Sequence, residues 1–158
     1  MRCDETAAPL AYRRVMTSRI FWIRWLEAVL ALVLIYAGLL VFAGSVAGWL
    51  FSAFGFGPSE AIDTDDVQEY LKLPYMVLGA VLAGWTLTLL QLVRGPLREG
   101  SPWVIPLMAR SLALWFALDT GMSLVLGHPT HALFNLSFGL ALSVPLVKLR
   151  SLQETTTT

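Results

Sequence analysis

Between Glu27 and Glu60 the chain carries no ionisable side chain except Tyr36. A helix needs roughly 20 apolar residues to cross a hydrocarbon core about 30 Å thick, and this run exceeds that length. Its apolar residues arrive without the polar interruptions that give a water-facing helix its second face. Lipid is the solvent such a segment requires.

The rest of the chain repeats the pattern. Of its 158 residues, 56% are hydrophobic and 14% charged, whereas an ordinary soluble domain has about 25% charged. Four spans are expected, at about 28–54, 73–93, 103–126 and 131–149. Pro74 opens the second span near its first turn, where proline is tolerated. Arg94-Gly95-Pro96 closes it with a charge, a glycine and a proline. Gly127-His128-Pro129 ends the third span, and Pro145 lies near the inner end of the fourth. The fold class is all-α, a polytopic four-helix membrane bundle in one domain over residues 28–150.

Before it, residues 1–27 form a polar tail and then a basic, aromatic-rich lead-in. Tyr12 to Glu27 sets Arg13, Arg14, Arg19 and Arg24 among Ile20, Phe21, Trp22 and Trp25. This segment is expected to be helical and to lie in the headgroup zone before turning into the first span. Val41-Phe42-Ala43 and Ser45-Val46-Ala47 resemble signal cleavage sites. The apolar stretch continues past both to Phe56, so it is expected to remain as an anchor. Residues 151–158 are expected to be a disordered tail.

The loop from Gly127 to His131 is so short that the third and fourth spans must form an antiparallel hairpin. Gly55 to Lys72 is the only long connection. Within it, Asp63 or Thr64 is placed to cap a short helix whose first turn carries Asp65 and Asp66, as the helix dipole prefers.

Basic residues are sorted along the chain. Arg2, Arg13, Arg14, Arg19 and Arg24 precede the first span; Arg94 and Arg98 lie in the second turn; Lys148 and Arg150 end the fourth span. The first loop sets Lys72 against Glu60, Asp63, Asp65, Asp66 and Glu69, and the third has no basic residue other than histidine. The positive-inside rule then puts both termini in the cytoplasm. Eleven basic and eleven acidic residues leave no net charge, so nothing points to a nucleic-acid partner. The expected partners are the bilayer, other membrane subunits or a second copy. Cys3 is the single cysteine, which rules out an intrachain disulfide.

Asp119 is the side chain that most invites a functional reading. It lies eight residues before Gly127, so about 12 Å below the outer end of the third span. An ionisable group at that depth is costly and normally faces the bundle interior. Trp115 lies one turn inward and Ser123 one turn outward, with Ser45 expected at similar depth. The group is either a proton-carrying or ligand-binding carboxyl or a hydrogen-bonding fastener between helices. Asn135, across the hairpin, is expected to bond Ser123. Arg110 lies two turns into the third span, with Glu27 and Glu99 as candidate partners. Arg94, Arg98 and Arg110 together are candidates for an anionic lipid headgroup. Glu27, three residues after Arg24, is expected to pair with it.

His128 and His131 flank Pro129-Thr130 in the outer loop. They are weak metal candidates, because neither a cysteine nor a third histidine stands near them in the sequence. No cofactor and no catalytic residue is assigned. Gly79-xxx-Ala83, Ala80-xxx-Gly84 and Gly139-xxx-Ser143 are small-residue faces that permit close helix approach.

Gly84-Trp85, Arg94-Gly95-Pro96, Ala113-Leu114-Trp115-Phe116-Ala117-Leu118-Asp119-Thr120-Gly121-Met122-Ser123 and Asn135 resemble a group of small four-helix bacterial membrane proteins of unknown function. The layout is loosely similar to DoxX-like proteins. The resemblance covers roughly the last three spans and implies a bacterial origin and a fold, without an activity or a site; the expected location is the cell inner membrane. Three functional classes follow: an accessory, binding or scaffold protein of a larger membrane complex, a small proton-coupled carrier using Asp119, and a membrane enzyme acting on a lipid or quinone. The first is preferred, because the sequence offers few convergent polar groups for catalysis.

Overall fold

A computed structural model describes residues 10–43, 46, 49 and 65–157. Four long helices follow in order: α1 (Leu10–Phe42), α2 (Asp65–Leu92), α3 (Val104–Val125) and α4 (Pro129–Thr157), with a single π-helical turn (Val93–Leu97) continuing α2. Among the described residues there is no strand. All four helices are long and apolar enough to cross a membrane. The 22 residues of α3 give about 33 Å of helix, one hydrocarbon thickness. The 33 residues of α1 reach about 50 Å, so α1 overhangs.

Several boundaries differ from expectation. The lead-in and the first span are one helix, with no turn between Glu27 and Ala28, because neither glycine nor proline occurs between Leu10 and Ala37. The far end of the expected first span lies largely outside the described residues, as do Ser45, Asp63 and Thr64. Asp65 and Asp66 do occupy a first helical turn, but that helix is α2 itself. Pro74 therefore sits in the helix interior, where it deprives the Tyr70 carbonyl of its usual donor. The last helix continues to Thr157, through residues expected to be disordered. Arg150 bonds Glu154 one turn on at 3.1 Å, a spacing that favours helix.

The stop after α2 also works differently from its motif. Pro96 has no N–H to give, and the helix widens around it into the π turn instead of ending. Gly100, at φ +85°, makes the true end. Ser101 N–H bonds the Pro96 carbonyl at 2.9 Å and Gly100 N–H bonds that of Leu97 at 3.1 Å, the paired bonds of a glycine-terminated helix. Gly127, at φ +80°, ends α3 in the same way, with His128 N–H on Ser123 O at 2.8 Å and Gly127 N–H on Leu124 O at 3.1 Å.

Helix α1 is the hub. It packs on α2 and on α4, and α3 packs on α4. Its buried positions are Ile23, Leu26, Leu30, Val33, Ala37 and Leu40, alternating steps of three and four residues. That is the seam spacing of helices packed nearly parallel to one another. Against it lie Leu89 and Leu90 of α2, Val93 of the π turn and Leu142, Leu146 and Leu149 of α4. Trp25 Nε1 donates to the Ala141 carbonyl at 3.0 Å, tying α1 to α4. The gap between α2 and α3 is bridged by aromatics: Trp85 Nε1 donates to Ser111 Oγ at 3.0 Å, and the Trp85 and Trp115 ring centres lie 6.2 Å apart.

Of the two glycines on α2, Gly79 meets α1 and Gly84 does not. A Cβ there would stand 2.7 Å from the Ala37 carbonyl oxygen and 2.8 Å from Leu40 Cβ, whereas a Cβ at Gly84 would meet nothing within 4 Å. Gly79→Leu is expected to lower the thermal midpoint in detergent through overpacking of about 3 kcal/mol. Gly84→Leu is expected to leave it unchanged. Equal melting of the two variants would show that the α1–α2 approach is not limited by Gly79.

Candidate functional site

The polar side chains gather at the two ends of the bundle. At the end holding the Gly127 turn, Pro129 starts α4 at the first helical position, which its fixed φ suits. His131 therefore stands on the first turn of a helix and not in a loop. Four residues on, Asn135 shares its face. Asp119 and Ser123 stand in the same relation on α3, and the hairpin sets the two pairs opposite each other.

His131 Nε2 lies 3.9 Å from Asp119 Oδ1, and both side chains are about one-third exposed. His131 Nδ1 lies 3.2 Å from Ser123 Oγ. Ser123 Oγ donates to the Asp119 carbonyl of its own helix at 2.6 Å, so His131 Nδ1 faces an oxygen whose proton is already engaged. The expected Ser123–Asn135 bond is not formed; His131 takes the serine instead. Asn135 is 1% exposed, and its Nδ2 has no hydrogen-bond partner among the described residues, as is true of the Thr120 and Thr86 hydroxyls.

Serine, histidine and aspartate in a row suggest nucleophilic catalysis, but the geometry argues otherwise. Ser123 is 6% exposed and its hydroxyl donates to the Asp119 carbonyl of its own helix, not the arrangement of a nucleophile whose proton goes to the histidine. The Asp119 carboxylate and the His131 ring face each other across the α3–α4 hairpin at 3.9 Å, near enough for a charge contact and too far for a direct hydrogen bond. Trp115, one turn inward, belongs to an aromatic layer with Trp85, Phe116 and Phe138 at centroid separations of 6.2, 6.4 and 6.3 Å.

Among the described residues no three of His, Cys, Asp and Glu come close enough to share a metal ion. His128 is exposed on the turn, while His131 faces α3. The two histidines point to different tasks.

At the opposite end, Glu27 joins α1 to the turn between α2 and α3. Arg98 Nη2 donates to Glu27 Oε1 at 2.8 Å, and Arg94 Nε lies 3.7 Å from the same oxygen. The expected Arg24 pairing is thus replaced by a contact across 71 residues of chain. The Glu27 side chain is 18% exposed, against 50% for Arg98. Arg110 is exposed and pairs with neither Glu27 nor Glu99, since Glu27 is taken. Of the three arginines expected at a lipid headgroup, Arg94 and Arg98 therefore face Glu27, and Arg110 is exposed.

Arg19 completes this end, and sequence reasoning gave it no task. Its Nη2 donates to the Leu97 and Arg98 carbonyls at 3.0 Å each. A cation on the last carbonyls of a helix satisfies orphan acceptors and opposes the negative end of the dipole. Nothing in local spacing could reveal a partner 78 residues away.

Cavities of about 430 and 740 Å³ lie along α3 and α4. The first is an apolar groove that ends at Phe116 and Leu136, short of Asp119 and His131.

If Asp119 and His131 fasten the hairpin, His131→Leu and Asp119→Leu should each lower the midpoint in detergent, and Asp119→Asn should change it little. Their double-mutant coupling should be about 0.6 kcal/mol, the usual worth of an interhelical polar contact in a membrane. Strict additivity would show that the pair contributes nothing.

No family model, curated protein or solved structure matches the chain.

Proposed function

We propose that this protein is an accessory or scaffold subunit that works through the lateral faces of its helices within a larger membrane assembly. The observation that carries this reading is how the polar groups are used. Glu27, Arg98, Arg19, Ser123, Asp119 and His131 all engage the chain's own helices, which leaves little for a substrate. Meanwhile the Ala80–Gly84 face of α2 is exposed, and small residues in that spacing permit close approach of another helix. A bacterial inner membrane is the proposed location. The arginine-bearing end, with both termini, is proposed to face the cytoplasm.

A photo-crosslinking side chain at position 84 is the direct test in native membranes. One discrete protein adduct is expected there, and none from the same probe at Val147 on α4. Gly84→Leu, which the fold accommodates, should abolish co-migration of that adduct's partner on native gels. Only lipid adducts at position 84 would overturn the reading.

A second reading, a proton-coupled carrier, is favoured by the Asp119–His131 approach. It requires that Asp119→Asn abolish transport in proteoliposomes under an imposed proton gradient, with insertion and accumulation unchanged. Retained transport would remove it, as would its absence from the unaltered protein across a panel of candidate solutes.

A further inference from the structure

A groove runs between α3 and α4. Its lining includes small residues, Ala109 and Ala113 of α3 with Gly139 and Ser143 of α4. The helices are already close at Gly139, where a Cβ would stand 3.2 Å from the Phe116 ring. The buried Leu112 and Leu146 and the exposed Leu140 complete it. The result is a recess of about 430 Å³, where a flat helix pair would present a ridge of leucines.

The recess is not apolar throughout. Its lining includes Arg150 at one end. Ile105, Pro106 and Arg150 also line the 740 Å³ cavity at the arginine-bearing end, where Arg19, Gln153 and Glu154 join them. From Gly139 to Arg150 is eleven residues of α4, or about 16 Å. That is close to half of a hydrocarbon core about 30 Å thick, the depth of one leaflet.

A leaflet-deep oily slot with cations at its mouth has the polarity of an acidic lipid. The geometry points to a binding site for one anionic phospholipid of the leaflet on the arginine-bearing side, its acyl chain along the α3–α4 groove and its phosphate between Arg19 and Arg150. Arg19 spends Nη2 on two backbone carbonyls, and a guanidinium has five N–H donors, so Nε and Nη1 are left to the phosphate. Arg24 and Arg98 share a neighbouring hollow of about 310 Å³ with Arg19 and add positive potential. Glu154 opposes it. Its pairing with Arg150 joins two side chains that are 67% and 70% exposed, and an exposed pair of this kind yields readily to a phosphate. This site differs from the Arg94, Arg98 and Arg110 grouping, two of which are held by Glu27. It does not depend on the scaffold reading above.

The test is native mass spectrometry of the whole protein released from nanodiscs of equal phosphatidylglycerol and phosphatidylcholine. One retained phosphatidylglycerol is expected, in excess over phosphatidylcholine. Arg150→Gln should cut that excess about fivefold, the worth of one basic residue beside an anionic headgroup. Arg150→Lys should keep most of it, and Arg110→Gln, outside the groove, should keep all of it. Ser143→Phe, which fills the slot, should lose the bound lipid while circular dichroism reports intact helix. Inorganic phosphate at millimolar concentration should not displace the lipid, since the chain supplies much of the contact. Equal retention of the two lipids, an Arg150→Gln protein that binds like the parent, or full retention by Ser143→Phe would each overturn the assignment. Displacement by phosphate alone would reassign the arginines to a soluble anion and overturn it as well.

Discussion

The bundle depends on one stripe of α1. Ile23, Leu26, Leu30, Val33, Ala37 and Leu40 are buried in steps of three and four, and both α2 and α4 pack against α1. In lipid this stripe gains nothing from leaving water, because hydrocarbon chains are as apolar as leucine. What it gains is dispersion between closely fitted atoms, and that rewards shape. Gly79 shows the consequence: the backbones of α1 and α2 come so near that a single methyl group would strike a carbonyl oxygen.

Polar contacts supply what packing lacks, which is register. Glu27 with Arg98, and Arg19 on the Leu97 and Arg98 carbonyls, fix α1 against the α2–α3 turn at one end. At the other end Ser123 Oγ of α3 meets His131 Nδ1 of α4 at 3.2 Å, and Asp119 Oδ1 lies 3.9 Å from His131 Nε2. Sliding α1 past the α2–α3 turn would leave the partly buried Glu27 carboxylate unmatched, and such a group is expensive in a low-dielectric medium. Between the two fastened ends, α2 and α3 touch through Trp85, Ser111 and Trp115.

That uneven closure shapes the outer surface. Helix α3 rests mainly on α4, and the small residues on their shared outer side leave a slot whose open end meets Arg19 and Arg150. Four arginines that look equivalent in sequence are separated by this arrangement. Arg94 and Arg98 face Glu27, Arg19 caps a helix, and Arg150 stands at the slot.

The number of helices, their order and the hairpin of α3 and α4 were legible in the sequence, since hydrocarbon thickness sets a minimum run length and a five-residue turn allows one geometry. Asp65 and Asp66 marked a helix start, and Gly127 marked a helix end, for local reasons of dipole and φ. Which face of each helix turns inward was not legible. Leu30 is 1% exposed and Leu32 is 64% exposed, yet both are leucine, because lipid and core select the same side chains. Only the tertiary structure could pair Glu27 with Arg98 in place of Arg24, bring His131 to Asp119 and Ser123 in place of Asn135, or place Arg19 on a carbonyl from another helix. Those choices depend on how helices meet across a long stretch of chain, and no local spacing encodes that.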